Sequence, residues 1–88
     1  MKAAIKKYVK ERNEMLKKRS VSELRKFVSE HKEFYSTEYL EAFNKASDEV
    51  LTVTLHKMIV NVTSLPTELR GTSAMWLVAN GFSLEINL

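Results

Sequence analysis

Apolar positions along the chain recur at intervals of three and four for most of its length, which is the spacing of amphipathic helices rather than strands. Ile5, Tyr8, Val9, Met15 and Leu16 lie near one side of a first segment, with lysine and arginine around them and Arg12 interrupting the stripe. A helix over about 3–18 is expected. Ser20-Val21-Ser22-Glu23 then offers a capping box, in which the Ser20 hydroxyl accepts from the Glu23 amide and the Glu23 carboxylate reaches back to Ser20. Leu24, Phe27, Val28, His31, Phe34 and Tyr35 follow on one face and predict a second helix over about 21–35, with Arg25, Lys26, Glu30 and Glu33 left for solvent.

Ser36-Thr37-Glu38 is the next start signal, a hydroxyl to cap and an acid in the first turn where the helix dipole favours it. From there Leu40, Phe43, Ala46, Val50, Leu51, Leu55, Met58, Ile59 and Val62 predict one long helix, 37–62, with a seam at 51, 55, 58 and 62 and a wide apolar face suited to a central position. Within it, Val50-Leu51-Thr52-Val53-Thr54-Leu55 is rich in β-branched residues, so a strand over 50–55 is the competing reading. Pro66 in a first turn opens a fourth helix, 66–80, with an apolar side of Leu69, Met75, Trp76 and Val78 or Ala79. Gly71-Thr72-Ser73 could split it, and Asn80-Gly81 ends it, with Gly81 left-handed and Phe82 packing back. The last six residues, 83–88, alternate apolar and polar strictly. Three placements are open for them: an extended arm on the domain, a strand paired with a partner chain, or a strand paired with 50–55.

The expected fold class is therefore mainly α: a small bundle of about four helices with an extended or short-strand C-terminal arm, in one domain spanning 1–88. At 88 residues there is room for one core only. Two glycines and one proline are too few punctuators for an all-β architecture. No apolar run approaches the roughly 20 residues of a membrane span, and the basic first ten residues lack the apolar stretch of a signal peptide. With no cysteine in the chain, a cytoplasmic location with no membrane contact is the expectation.

Candidate chemistry is sparse. His31 and His56 fall in different predicted helices without metal-site spacing, so each reads as a half-buried helix residue, and no metal or cofactor is expected. Serines occupy caps and turns, with no nucleophile elbow or glycine-rich phosphate loop. Glu30 with Glu33 and Asp48 with Glu49 are pairs any charged helix carries. Asn61-Val62-Thr63 matches a glycosylation sequon, which has no role without export. An enzyme is not expected, nor a small-molecule substrate.

Charge distribution adds one functional feature. The net +3 divides unevenly, because residues 1–19 hold eight Lys or Arg against two Glu, a net +6, while the remainder carries a net −3. Lys2, Lys6, Lys7, Lys10, Arg12, Lys17, Lys18 and Arg19 could engage phosphates through counterion release without base readout. The alternative is a solvated helix face. Most aromatic residues fall on apolar faces, and Tyr35, Tyr39 and Trp76 are the candidates to reach the surface as anchors for a partner.

Arg19-Ser20-Val21-Ser22-Glu23-Leu24-Arg25, Ser47-Asp48-Glu49-Val50, Leu55-His56-Lys57-Met58 and Leu65-Pro66 together resemble small uncharacterised proteins carried on conjugative transposons of Gram-positive gut bacteria. The similarity runs from about Arg19 to Gly81. It implies a bacterial, cytoplasmic, mobile-element setting and transfers no catalytic or binding residue. The leading functional expectation is a non-enzymatic interaction module that binds another protein or itself. The alternative is an accessory nucleic-acid binder using the basic first helix.

Overall fold

Three helix starts in the structure follow serine hydroxyls. In the computed structural model, which describes residues 2–85, Ser20, Ser36 and Ser47 each sit in extended backbone, and each accepts a hydrogen bond from the amide three residues on. The elements are α1 (Lys2–Lys17), α2 (Val21–Glu30), a single 3-10 turn (Lys32–Phe34), α3 (Thr37–Lys45), α4 (Asp48–Asn61) and α5 (Thr67–Ala79). The protein is a small, mainly helical bundle.

The predicted helix 37–62 is two helices, and this corrects the reading of the apolar periodicity across positions 40–51. The break falls at Ala46, which is extended (φ −69°, ψ 140°), and Ser47 caps α4 through the Val50 amide at 3.2 Å. Asp48 and Glu49 fill the first turn of α4. Arg25 of α2 holds the break from outside, donating to the Ala46 carbonyl at 2.9 Å and to the Asp48 carboxylate at 2.8 Å. A carbonyl that has left the helical ladder is thereby satisfied.

The second helix also ends earlier than position 35. His31 leaves helical geometry (φ −128°, ψ 37°) because its own ring takes the Phe27 carbonyl at 2.8 Å, the acceptor that its backbone amide would use in a continuing helix. That amide turns to the Val28 carbonyl instead. The Ser20 capping box is half formed, since the Glu23 carboxylate pairs with Lys18 at 3.6 Å.

Segment 50–55 is helical within α4, where the hydroxyls of Thr52 and Thr54 bond back to the carbonyls of Asp48 and Val50. Gly71 does not split α5. Pro66 stands at the cap position of α5 rather than inside its first turn, and its carbonyl accepts from the Arg70 amide. At the other end Gly81 is left-handed (φ 80°), and the amides of Gly81 and Phe82 return to Val78 and Leu77, a Schellman closure. Phe82 lies parallel to Trp76 with ring centroids 6.2 Å apart. Residues 83–85 form no strand, and Asn61 of α4 donates to the Leu84 carbonyl at 2.9 Å. The remaining positions of the expected strand, 86–88, lie outside the described residues.

The core joins α1, α2, α3 and α4. Leu16, Leu24, Val28, Leu51, Leu55 and Ile59 are all but sealed from water, with Met15, Phe27, Phe43 and Leu65 around them. As expected of the widest apolar face, α4 is central, packing against α1, α2 and α5. Positions 51 and 55 of the predicted seam are buried, while Met58 and Val62 close its edge. Ile5, expected on the buried side of α1, is 53 % exposed.

Candidate interaction surfaces

The basic helix α1 turns its charges in two directions. Lys6, Lys10 and Lys17, spaced by four and seven, share the solvent face. Lys7 pairs with Glu11 at 3.9 Å, Lys17 with Glu14 at 3.3 Å and Lys18 with Glu23 at 3.6 Å. Arg12 is half-buried on the inward side and donates to Asn13, which in turn donates to Ser64. Arg19 adopts a left-handed backbone (φ 52°) at the α1–α2 turn. Among the described residues, Lys6, Lys10 and Arg19 are the members of the predicted basic set without an ion pair or side-chain hydrogen bond. The side chain of Lys2 lies outside the description.

Between α1 and α2 runs a shallow groove of about 440 Å³, in which Lys7, Lys10, Lys18 and Lys26 face Glu11, Glu14, Glu23 and Glu30. The four lysines are interleaved with the four glutamates, with Lys7 and Glu11, and Lys18 and Glu23, within 4 Å of each other, so the lining is mixed rather than a basic patch. At its base His31 bonds to two acceptors, the Glu11 carboxylate at 2.7 Å and the Phe27 carbonyl at 2.8 Å. Neither acceptor can donate, so both contacts are satisfied together only by the doubly protonated ring. Burial pulls the His31 pKa down, but the Phe27 carbonyl, the hydrogen bond to Glu11 and the negative fields of Glu11 and Glu33 outweigh it. The pKa stands above the usual 6.5.

Around this pair the aromatic residues form a continuous set of contacts. Phe27 stacks on His31 at 4.1 Å, Phe34 on Tyr8 at 4.3 Å and Tyr39 on Tyr35 at 5.0 Å. The hydroxyls of Tyr8 and Tyr35 share a hydrogen bond of 2.7 Å. Burial, and then the Tyr8 hydroxyl, push the Tyr35 pKa far above the ordinary tyrosine range. Of the three predicted anchors, Tyr35 is held inside by this bond, Tyr39 is 36 % exposed, and Trp76 is half-buried, its ring 4.3 Å from His56.

His56 has a second partner in Ser73, whose hydroxyl lies 2.9 Å from Nδ1 and is wholly buried. A serine beside a histidine resembles half of a nucleophilic pair, but a hydroxyl without solvent access meets no substrate. Burial, and then the charge of Arg19, lower the His56 pKa. The pair instead satisfies two polar groups at the α4–α5 interface. Among the described residues, no group of three histidine, aspartate or glutamate side chains converges to hold a metal ion, and no helix is long and apolar enough to cross a membrane.

This histidine–serine pair lies on the side of α5 that faces inward. Ser73 and Leu77 are buried, whereas Met75 and Val78, expected on the apolar side, point to solvent at 75 % and 64 % exposure. Gly71, Thr72 and Ala79 share that outer face. From Gly71 to Phe82 the chain carries no charged residue at all. Periodicity could not have found this face, because α5 is apolar on nearly every side. An uncharged run of this length in a chain that is 28 % charged was the available signal.

No protein-family model, curated protein or solved structure matches the chain.

Proposed function

We propose that the chain is a non-enzymatic protein-interaction module, in the bacterial mobile-element setting that its sequence resemblance implies, and that its contact surface is the outer face of α5. The observation that carries this reading is the exposure of Met75 and Val78, about one helical turn apart within the uncharged segment 71–82. Of the other exposed apolar residues, Ile5, Phe34 and Val50 have a charged neighbour in sequence (Lys6, Glu33 and Glu49), Tyr39 stacks on Tyr35, and Phe82 and Leu84 belong to the arm that follows α5, with Phe82 parallel to Trp76. Single exposed apolar residues are ordinary on a protein surface; a contiguous apolar face is the mark of a contact.

A photo-crosslinking amino acid introduced at Met75 and activated in the producing cell tests the reading. Covalent adducts are expected from position 75 and not from a control at Glu41, an exposed position on α3. Adducts from neither position, or equally from both, refute it.

A second reading, accessory binding to nucleic acid, is favoured by one observation: Lys6, Lys10 and Lys17 align on the solvent face of α1. Three phosphate contacts give a slope of about −3 in log affinity against log salt. Fluorescence anisotropy with labelled duplex and single-stranded DNA over a salt series reads that slope. Binding that survives Lys6→Glu, Lys10→Glu and Lys17→Glu together excludes this face.

A further inference from the structure

We infer that His31 is a proton-operated hinge: with its ring charged it ends α2 at Glu30, and with its ring neutral it lets α2 run on through the 3-10 turn to Phe34. Two acceptors meet this one ring, the Glu11 carboxylate at 2.7 Å and the Phe27 carbonyl at 2.8 Å. A neutral imidazole has a single N–H, so loss of the proton sets a lone pair against one of the two oxygens. The bond to the ionised carboxylate is roughly twice as strong as one to a neutral carbonyl. The remaining N–H therefore stays with Glu11, and the Phe27 carbonyl is released. A replacement donor lies in its own turn, the backbone amide of His31, which now bonds the Val28 carbonyl and in a continuous helix bonds that of Phe27.

The sequence independently favours the continuous form. Apolar spacing of three and four runs without a break from Leu24 to Tyr35, and no glycine or proline intervenes. Lys32–Phe34 is already coiled, the amides of Phe34 and Tyr35 bonding the carbonyls of His31 and Lys32. His31 alone separates the two helical runs, at φ −128° and ψ 37°. Rotations of about 65° in φ and about 80° in ψ bring it to helical values. Contacts with α1 oppose the change: Phe34 stacks on Tyr8 at 4.3 Å, and the Tyr35 hydroxyl bonds that of Tyr8 at 2.7 Å. Both residues follow the hinge, so its rotation withdraws them from α1. The segment thus has two discrete arrangements with different partners, and the ring proton biases the choice between them.

Charged and titratable groups reach the ring from each neighbouring element. From α1, Glu11 meets it, Lys7 pairs with Glu11 at 3.9 Å, the Tyr8 ring stands edge-on at 5.8 Å, and Lys10 and Glu14 share the groove. Lys26 and Glu30 come from α2, and Lys18 with Glu23, paired across the two helices, completes the lining. The 3-10 turn brings Glu33. Of these side-chain types, histidine is the one that ordinarily titrates between about pH 5 and 8. Burial by itself lowers the His31 pKa; the Phe27 carbonyl, Glu11 and Glu33 together raise it above 6.5. The other histidine, His56, lies in α4 against Ser73 and Trp76 and is shifted the opposite way, so the two titrations are separable.

A pH titration of the full, isotope-labelled chain followed by NMR, at a temperature where it stays folded, tests the hinge. As the His31 ring loses its proton, the Cα shifts of residues 31–34 should move to helical values with the same midpoint. The coupling across the hydrogen bond of the His31 amide should pass from the Val28 carbonyl carbon to that of Phe27, and ring contacts between Tyr8 and Phe34 should fade. Glu11→Gln should move the ring and backbone midpoints together to lower pH. His31→Phe keeps a ring against Phe27 but has no donor for its carbonyl, and should show helical shifts over 31–34 at every pH. Should that variant fail to fold, the titration of the unaltered chain decides alone. Backbone shifts over 31–34 that stay constant through the His31 titration overturn the inference. So does a backbone change whose midpoint follows His56 instead, or an amide coupling that remains with Val28 when the ring is neutral.

Discussion

Replacing Glu11 by glutamine removes one charge from the contact between α1 and the end of α2, and its effect can be worked out from the geometry. His31 donates to Glu11 at 2.7 Å with 16 % of its side chain exposed, while the Glu11 side chain is 39 % exposed and also pairs with Lys7. A hydrogen bond between charged groups contributes about 1.5 to 3 kcal/mol. Water competes for the half-exposed carboxylate, so the lower end applies, about 1.5 kcal/mol. For a domain of this size that corresponds to a midpoint shift of about 6 to 12 °C. The His31 pKa is raised in the folded state, so its contribution is complete below the unfolded value of 6.5 and is lost as pH rises through the folded value. His56 acts in the opposite sense: its lowered pKa makes stability fall as pH drops below 6.5. Thermal unfolding of the unaltered chain is therefore expected to peak near neutrality and to decline on the alkaline side. Glu11→Gln should flatten that alkaline decline and leave the acid side unchanged. His31 ring resonances followed by NMR should titrate above 6.5 in the unaltered chain and lower in the variant. Parallel unfolding curves for the two proteins between pH 6.5 and 9, or a His31 ring that titrates at or below 6.5, would refute the reasoning.

Three further substitutions probe local devices. Ser47→Ala deletes the cap of α4 beside the Ala46 break and should cost about 1 kcal/mol in urea unfolding, with loss of helical circular dichroism confined to the transition. Arg19→Gly relieves a left-handed backbone in a residue with a Cβ and should raise stability by up to about 1 kcal/mol, against the usual cost of added glycine; a lower melting point contradicts the strain. Ser73→Ala leaves the buried Nδ1 of His56 without its partner and should destabilise by about 1 to 3 kcal/mol, while no change in midpoint would show that the bond does not hold α5 in place.

Much of the bundle was legible locally. Ser20 and Ser36 announced helix starts because a hydroxyl that accepts from the amide three residues on needs nothing beyond its own turn. Gly81 ended α5 for the same kind of reason, a backbone conformation that glycine adopts without strain. Leu51 and Leu55 entered the core where their spacing put them. Ser47, with Asp48 and Glu49 behind it, carries the same local signal as Ser36, but the apolar spacing from Leu40 to Val62 continues across it and conceals the break.

Tertiary contacts decided the rest. Arg25 reaches Ala46 from 21 positions away in the chain, and His31 finds Glu11 across 20 positions; neither contact leaves a trace in local pattern. The rotation of α5 is the clearest case. Apolar residues occur on every side of its second half, Ala74 to Ala79, so periodicity does not single out the inward side. The inward face carries Leu69, Leu77 and the Ser73 hydroxyl that bonds the buried His56 nitrogen, and it leaves Met75 and Val78 facing solvent. Sequence alone determined where helices begin and that they pack into one core, because caps and apolar spacing act within a few residues. Only the folded chain determined which residues Arg25 and His31 meet and which side of α5 is left facing water, because those depend on partners that folding alone brings within reach.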